Sequence, residues 1–351
     1  MNHSILMFCV TGLGNIILFL PAYSAIRKRF PNAKYTVALD ARWYGDPFSI
    51  QQFGSDVEFI RFPSRSSGII NLLKGLKDVR KNKYDIVLMP YTGSSWKLGG
   101  FLLMTGAKRT IFFKTGKKFL DRRFSPCLPL LYKEHYIEKN FRKVEVLDVK
   151  REIPEKWIRT DRKKVNYLRM KKGNKRWIGI HPGGNKSYFP DRRWPLRYYR
   201  EVLEQLSMDY GNMNVFVFGD KEDEKDIQWL IKGLMFCEPV VNWPLQEVAN
   251  YLASMDLFVG NDSGIMNLSV GVGTPTVGIM GPTSPFETGP YGNKHCKLRL
   301  YLECSPCWGK IRKCSHDHIC LYNLTPDMVL DKIKIFFKDN FFNLNSPLHS
   351  V

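Results

Sequence analysis

The sequence predicts an α/β protein of two doubly wound domains, each built on a parallel sheet with helices on both faces. Runs rich in Val, Ile and Phe alternate with stretches of helical periodicity, as is typical of parallel sheets that are buried on both sides. The alternation stops near a basic stretch at 161–176 and then starts again. Because 351 residues can fill two cores, we expect an N-terminal domain over 1–165, a C-terminal domain over 166–335 and a tail over 336–351.

The first half contains three clear strand predictions. Residues 5–11 form an apolar run that leads through a glycine loop into a helical pattern over 16–29. Residues 33–40 form a second strand that ends in an acidic residue. Residues 84–90 form a third, and a basic amphipathic helix over 72–81 precedes it. This order of elements is that of a parallel sheet.

The apolar start of the chain is interpreted as strand, loop and helix rather than as an export signal or a membrane anchor. The first 26 residues lack the basic start and the small-residue cleavage site of a secretory signal. Gly12, Gly14, Asn15 and Pro21 interrupt the span of about 20 apolar residues that a membrane helix needs. Without an export signal, the eight cysteines favour reduced thiols. We therefore expect a cytoplasmic protein.

The second half repeats the alternation. Helical patterns cover 196–210 and 248–255 and separate runs with strand character. The predicted strands are 176–184, 214–220, 256–262 and 274–282. In sheets of this kind ligands bind at the carboxyl ends of the strands, so the loops that follow these four runs are the first places to look for a site.

The charge is strongly positive. The chain has 53 Lys and Arg against 33 Asp and Glu, a formal net charge of +20, which favours anionic partners. Residues 108–142 hold ten basic and three acidic residues interleaved with aromatic rings, a mixture typical of an interfacial or acid-binding surface. The basic run at 161–176 is interpreted as a solvated linker. No nucleic-acid-binding signature is present, so we expect no nucleic-acid partner.

The stretch "VGNDSGIMNLSVGVGTPTVGIMGPTSP" (259–285) carries the strongest chemical signal. A predicted strand ends in a Ser-Gly turn that opens a helix, and the next strand ends in a second open loop. Helix starts present free N–H groups that suit a diphosphate. Ordinary turn chemistry explains small residues singly, but two such loops at neighbouring strand ends favour a ligand site. Its residues are Asp262, Ser263, Gly264, Gly281, Pro282 and Thr283.

This stretch resembles the sugar-nucleotide signature of the bacterial lipopolysaccharide heptosyltransferases, glycosyltransferase family 9, approximately D-T/S-G-x-x-H-x-x-x-x-x-x-T-P-x-x-x-x-x-G-P-T. Four further stretches are similar to family motifs, and together they extend from about residue 5 to 335. They are the first loop and helix (12–31), the H-x-V-E motif (134–140), the opening of the second domain (179–206) and the cysteine-bearing tail of some members (304–329).

The resemblance implies a GT-B-type fold, in which two Rossmann-like domains face a cleft. It implies transfer of a sugar, typically heptose from an ADP-activated donor, with inversion onto a glycolipid. The residues that it places on the donor are His181, Gly183, Gly184, Arg192, Asp223, Asp262, Ser263, Gly264, Asn267, Gly281, Pro282 and Thr283. Those on the acceptor side are Gly12, Gly14, His135 and Glu138. His181 on its own is interpreted first as a structural histidine.

Two residues depart from the family pattern. Asn15 stands where the family commonly has the Asp that deprotonates the acceptor, and an amide has no useful basicity; we expect Asn15 to cap the first helix instead. Asn267 stands where the family commonly has His, which keeps hydrogen bonding but loses the titrating ring. Asp40, at the end of the second predicted strand, is our hypothesis for the base.

We expect neither a cofactor nor a catalytic metal. The sequence contains no Asp-x-Asp pair, and N–H groups with an Arg can stabilise a leaving diphosphate unaided. Cys304, Cys307, Cys314 and Cys320 form C-x2-C-x6-C-x5-C. A structural zinc, reduced thiols and disulfides all stay open for them.

The leading hypothesis is an inverting, metal-independent glycosyltransferase that moves heptose from ADP-heptose to a lipopolysaccharide-core or related envelope glycan. We expect a monomer at the inner face of the cytoplasmic membrane, with 108–142 helping to dock an anionic glycolipid. One alternative is a catalytically degenerate relative that binds sugar nucleotides or glycolipids. The other is a GT-B-type sugar-nucleotide epimerase, which needs several acids and histidines around the donor sugar.

Overall fold

The computed structural model describes residues 3–64, 67–131, 133–184, 192–307 and 314–338. The chain divides into two compact units between Trp157 and Ile158, whereas the sequence predicts a division after residue 165. The difference has a local cause, because the backbone N–H of Ile158 donates to the carbonyl of Gly271, 3.0 Å away, in the second unit. The stretch from 158 onward is thus fastened to the C-terminal unit. The tail over 339–351 lies outside the described residues.

The N-terminal unit is built on a five-stranded parallel sheet in the order β3-β2-β1-β4-β5, with a two-stranded sheet, β6-β7, beside it. Its strands are β1 (Ser4–Cys9), β2 (Lys34–Asp40), β3 (Glu58–Phe62), β4 (Ile86–Leu88), β5 (Arg109–Thr110), β6 (Phe112–Phe113) and β7 (Cys127–Leu128). Its helices are α1 (Leu13–Arg29), α2 (Pro47–Phe53), α3 (Ile69–Lys81), α4 (Trp96–Leu103), α5 (Lys118–Asp121) and α6 (Tyr136–Glu145).

The C-terminal unit is built on a six-stranded parallel sheet in the order β10-β9-β8-β11-β12-β13. Its strands are β8 (Arg176–His181), β9 (Met213–Gly219), β10 (Cys237–Val241), β11 (Leu257–Asn261), β12 (Thr276–Ile279) and β13 (His295–Leu298). Its helices are α7 (Arg162–Lys172), α8 (Leu196–Asp209), α9 (Glu224–Ile231), α10 (Leu245–Leu252), α11 (Gly264–Gly271), α12 (Ile319–Tyr322) and α13 (Pro326–Lys338), with a 3₁₀ turn at Lys221–Asp223.

Both sheets reverse their strand order at one point, between β1 and β4 and between β8 and β11. The paired strands there are parallel and almost completely buried, which explains why they read as continuous apolar runs in the sequence. Such a switch point leaves a crevice at the carboxyl ends of the two strands. The α/β, doubly wound class predicted from the alternation is thus confirmed in each unit.

The start of the chain is a strand, a loop and a helix, as predicted, but Asn15 is not the cap of that helix. Helix α1 begins at Leu13, and the cap position is Gly12, whose backbone is extended (φ −69°, ψ 154°). The Gly12 carbonyl accepts from the N–H of Asn15 at 3.1 Å, so Asn15 already lies in the first turn. The N-cap prediction for Asn15 was therefore wrong.

Within the described ranges, none of the helices combines the length and the apolar character that a bilayer span requires.

Candidate active site

Asn261, the last residue of β11, holds the loop that follows β8. Its side-chain Nδ2 donates to the carbonyls of Pro182 (2.8 Å) and Gly183 (3.1 Å). Its Oδ1 accepts from the hydroxyl of Tyr199 (2.9 Å) and the backbone N–H of Trp194 (3.1 Å). Asn261 is fully buried, and these four bonds use both ends of the amide. The loop at the switch point is thereby fixed in place.

Gly183 is required by the packing of this loop. A Cβ atom added there would lie 2.4 Å from Oδ2 of Asp223 and 2.9 Å from Nε2 of His181. Both neighbours are buried polar side chains. Since no side chain fits, the backbone approaches these groups as closely as glycine allows, and the peptide groups after β8 form the floor of the crevice.

His181 and Ser263 join the two loops of the switch point. Nδ1 of His181 and Oγ of Ser263 lie 3.1 Å apart, and Oγ of Ser263 accepts from the N–H of Met266 at 3.2 Å, which caps α11. Burial lowers the pKa of His181 to about 4, with Asp223 opposing this effect. The ring is therefore neutral at pH 7. By helix geometry, the first-turn N–H groups of α11 at Gly264 and Ile265 have no intrahelical acceptor, so they are available to an anion.

Arg193 is the cation that contacts the glycine loop directly. Its guanidinium pairs with Asp223 (Nη2–Oδ1 3.0 Å) and Asp226 (Nη1–Oδ2 3.5 Å), and it donates to the carbonyl of Gly184. Asp223 also accepts from the N–H of Asp220 at 3.3 Å. Asp223, predicted near the donor ribose, is thus buried against Arg193 and beneath Gly183. Sequence reasoning selected Arg192 and missed its neighbour, since a pair of arginines in a loop gives no signal of which one turns inward.

Arg192 lies on the other side of the same crevice. Its Nη1 is 3.7 Å from Oδ2 of Asp262, which also accepts from the hydroxyl of Thr288 at 3.2 Å. Burial raises the pKa of Asp262, while the charge of Arg192 opposes the rise. The structure thus brings together His181, Gly183, Gly184, Arg192, Asp223, Asp262, Ser263 and Gly264 at the carboxyl ends of β8 and β11.

The remaining predicted donor residues lie on α11 and after β12. Asn267 is buried at the end of the first turn of α11. The Gly281 carbonyl accepts from the hydroxyl of Ser305 at 2.7 Å, and the Pro282 carbonyl accepts from the N–H of Cys307 at 3.0 Å. Thr283 is buried beside the carboxyl group of Asp262. The loop after β12 is therefore bound to the cysteine-bearing segment.

The cysteines of that segment are free thiols, as are the other four. Cys320 is buried, and its burial together with the nearby Cys304, Cys307 and Cys314 raises its pKa to about 11. In the part of the chain that is described, no group of three or more His, Cys, Asp or Glu side chains has the arrangement to hold a metal ion.

The carboxyl end of β1 and that of β2 meet in the N-terminal unit. The Thr11 carbonyl accepts from Nε1 of Trp43 at 3.1 Å, and the Thr11 hydroxyl accepts from Nδ2 of Asn15 at 2.9 Å. Asp40 is buried, and its two oxygens accept from Nε and Nη2 of Arg42 at 2.8 and 3.1 Å. The predicted base thus has both oxygens engaged by a guanidinium. Gly12 and Gly14 lie at the start of α1 beside this group.

His135 and Glu138 have different partners in the structure. His135 is the buried N-cap of α6, and its Nδ1 accepts from the N–H of Ile137 at 3.2 Å. Glu138 forms an ion pair with Arg151. The cap explains why a histidine precedes this helix, and the pair explains why an acid stands in its first turn.

Helix α6 also carries three buried polar residues that the sequence did not single out. Asn140 accepts from the N–H of Tyr91 at 2.8 Å and donates to the carbonyl of Leu18 at 3.1 Å. Lys139 lies with its Nζ 4.6 Å from the centre of the Tyr91 ring. Lys143 donates to the Met89 carbonyl just after β4, and burial lowers its pKa to about 7. Lysines on a helix usually lie in solvent, so their burial was not predictable.

Two doubly wound sheets, with a glycine loop, a helix start and an arginine at one switch point, agree with the glycosyltransferase family that the sequence resembles. The chain belongs to glycosyltransferase family 9 (heptosyltransferase), whose family model matches residues 72–318. It is 27% identical over 345 residues to lipooligosaccharide heptosyltransferase 2 of Campylobacter jejuni subsp. jejuni serotype O:2, covering 94% of this chain and 97% of that protein.

Two solved structures show the same fold. The ADP-heptose lipopolysaccharide heptosyltransferase II of Escherichia coli is similar with a TM-score of 0.70 and 20% identity, over 95% of this chain and 98% of that one. An Escherichia coli heptosyltransferase with ADP-2-deoxy-2-fluoro heptose gives a TM-score of 0.68 and 14% identity, over 94% and 99%. The GT-B-type fold class predicted from the motifs is thus confirmed.

Proposed function

We propose that this glycosyltransferase transfers heptose from ADP-heptose to the lipopolysaccharide core or a related envelope glycan. The observation that carries the proposal is the cradle between β8 and β11, where the glycine loop, the start of α11 and Arg192 converge. Family membership supports the sugar, and the names of the similar proteins support the donor and the acceptor class.

The cradle suits a diphosphate for electrostatic reasons. The N–H groups at the start of α11 and the positive end of its dipole favour an anion. Arg192 adds a full charge beside them. In a crevice with little water these groups stabilise negative charge better than solvent does. Arg193 is already paired with two carboxylates, so we assign it to holding the loop and Arg192 to the phosphates.

The reaction that we propose is a single displacement with inversion. The acceptor hydroxyl oxygen forms a bond to the anomeric carbon while the bond from that carbon to the diphosphate oxygen breaks. ADP leaves with the electron pair, and the hydroxyl proton passes to a base. The cradle lowers the barrier because the charge on the leaving diphosphate grows in the transition state.

The base is the open part of this mechanism. Asn15 cannot accept the proton, and Asp40 stays a prediction. Its contacts weaken that prediction, because both of its oxygens already accept from Arg42. An Asp40→Asn variant that keeps full turnover would remove Asp40 from the mechanism.

We assign the acceptor to the N-terminal unit and place the enzyme, as a monomer, at the inner face of the cytoplasmic membrane. The basic composition supports an anionic glycolipid as the acceptor. The lack of an Asp-x-Asp pair in the sequence supports a metal-independent transfer, so a chelator should leave the rate unchanged.

The test is ADP release from ADP-heptose in the presence of a core acceptor, compared with GDP- and UDP-sugars. Removing one charge donor from such a site costs about 100-fold in rate, which is the loss that we expect for Arg192→Gln. The matched control is Arg200→Gln, because Arg200 binds the carbonyls of Leu230 and Lys232 on the surface of the same unit. Full activity of Arg192→Gln, or a preference for another nucleotide, would contradict the proposal.

A further inference from the structure

Five large apolar side chains of the N-terminal unit lie in solvent. They are Ile69, Ile70 and Leu73 on α3, Trp96 at the start of α4 and Phe119 on α5. Ile70 is 68% exposed and Phe119 is 66% exposed. Single exposed apolar residues are ordinary, but a group of them marks a surface that meets another apolar phase. These five residues are called the apolar rim below.

The three helices that carry the rim lie on the same face of the first sheet. Leu72 of α3, Leu98 of α4 and Leu120 of α5 all pack on one core cluster that contains Phe8 and Val87. Residues of α3, α4 and α5 that point away from this cluster therefore lie on the same side of the N-terminal unit.

The rim residues of α3 and α4 also share one edge of that face. Each helix follows a strand of the parallel sheet, so its first turn lies at the carboxyl edge. Gly75 of α3 packs against Phe62, the last residue of β3. Gly99 of α4 packs against Phe124, just after α5. The ring of Phe62 in turn lies edge-on to the ring of Phe101 on α4, with the ring centres 5.9 Å apart. A continuous row of contacts therefore joins α3, α4 and α5.

The stretch of chain that carries the rim is strongly basic. Residues 61–133 contain sixteen Lys and Arg but only three Asp and no Glu. Two of the acids are paired with lysines, Asp78 with Lys81 and Asp85 with Lys108, both at 2.8 Å. The third, Asp121, accepts from the N–H of Thr115 at 2.8 Å. The acids are therefore locally satisfied, and the field of this region is positive.

The order of residues on α3 fits an interface between water and lipid. Ile70 and Leu73 lie in the first turns, and Lys74 and Lys77 follow each of them by four residues, one turn further on. An apolar tip can enter the acyl boundary while lysines one turn behind it reach the phosphates. A second copy of the chain fits this surface less well, because two such faces would bring like charges together.

We propose that the apolar rim and its surrounding lysines and arginines dock the N-terminal unit on an anionic lipid bilayer. The inference deepens the proposed function, since it rests on an acceptor that is held in a membrane. The apolar side chains of the rim enter the acyl boundary, and the basic residues are attracted to the acidic headgroups.

The experiment is flotation of the full chain with vesicles of phosphatidylethanolamine and phosphatidylglycerol (3:1) or of phosphatidylcholine alone. We expect binding to the anionic vesicles at least about tenfold stronger than to the neutral ones. The double variant Ile69→Ser/Ile70→Ser should weaken it by about tenfold or more, because two inserted side chains are lost. The matched control is Met208→Ser/Met235→Ser, which removes side chains that are 78% and 96% exposed in the C-terminal unit.

Three results would overturn the inference. They are failure of the full chain to float with anionic vesicles, equal flotation of the rim variant, and a concentration-dependent dimer in light scattering that the rim variant abolishes. The last result would assign the rim to a second copy of the chain.

The activity assay keeps this inference separate from the proposed function. Transfer to a delipidated, water-soluble core oligosaccharide should be the same for the rim variant and the unmodified chain. If the unmodified chain transfers nothing to any acceptor, the proposed function fails while the flotation result still decides the docking surface.

Discussion

The two switch points of this molecule differ in the polar groups that are buried beside them. At the carboxyl end of β11, the Asn261 side chain forms four hydrogen bonds with two carbonyls, a hydroxyl and a backbone N–H, all of them uncharged groups. After β4, the helix α6 brings Asn140 with two such bonds and the buried Lys143. Hydrogen bonds therefore fix the loops at the carboxyl end of β11 before a ligand binds. The edge after β4 instead buries the Lys143 side chain, whose charged form is costly to remove from water. Of the two edges, the C-terminal one is therefore the more strongly preorganised.

The largest expected effect is the difference in stability loss when each of the two buried asparagines, Asn261 and Asn140, is replaced by leucine. Asn261→Leu removes the amide partner of two carbonyls and an N–H and leaves the Tyr199 hydroxyl only the His181 carbonyl, 3.4 Å away. We expect a loss of about 4 kcal/mol in the free energy of unfolding of its unit. Asn140→Leu leaves one N–H and one carbonyl and should cost about 2 kcal/mol. Hydrogen exchange read by mass spectrometry reports each unit separately.

Asn212→Leu serves as the control, because the exposed amide of Asn212 makes one long hydrogen bond, to the carbonyl of Asn174 at 3.4 Å. Equal losses for Asn261→Leu and Asn140→Leu would show that the two edges are equally fixed, and the comparison would fail.

The next effect is the pH dependence of each unit. Burial lowers the pKa of His181 and of His295 to about 4, against about 6.5 in the unfolded chain. In that window the unfolded state binds more protons, so each of these histidines should lower the stability of the C-terminal unit by about 2.5 kcal/mol as the pH falls from 6.5 to 4. For Lys143, with a pKa of about 7 against about 10.4 unfolded, the N-terminal unit should lose about 3 kcal/mol as the pH falls from 10 to 7.

Limited proteolysis across pH 4.5 to 10, with fragments assigned to each unit, measures both windows. Lys143→Met should remove the alkaline dependence of the N-terminal unit and leave the acid window of the other unit unchanged. A Lys143→Met chain that keeps the alkaline slope would mean that another group is responsible for it.

Much of the edge at β8 and β11 was predictable, because it follows from backbone rules. Apolar runs that end in small residues mark parallel strands that open onto loops, and Asp262 and Ser263 were selected in this way, whereas Gly183 was selected through the family resemblance. These rules do not give the direction in which a loop side chain points. Arg192 was therefore selected, and Arg193, which contacts the glycine loop, was missed.

The N-terminal edge was harder to predict for the same physical reason. Asn15 looked like a cap because Asn favours that position, yet the residue with extended backbone is Gly12. Lys139 lies in the run 108–142, which the sequence analysis interpreted as an interfacial or acid-binding surface, and Lys143 directly follows that run. The packing of α6 on the Tyr91 region buries both lysines. Tertiary contacts decided both cases.

The smallest effect compares the loop glycines of the two edges. Gly183→Ala would place a Cβ atom 2.4 Å from an oxygen of Asp223, so we expect a loss of about 2 kcal/mol in stability and at least about tenfold weaker ADP binding. Gly12→Ala meets nothing within 4 Å, and its φ of −69° suits alanine, so its stability should change by less than about 0.5 kcal/mol. Calorimetric titration with ADP and thermal unfolding measure both. If Gly12→Ala is as damaging as Gly183→Ala, then the N-terminal loop is also shaped by close approach, and the contrast between the two edges does not hold.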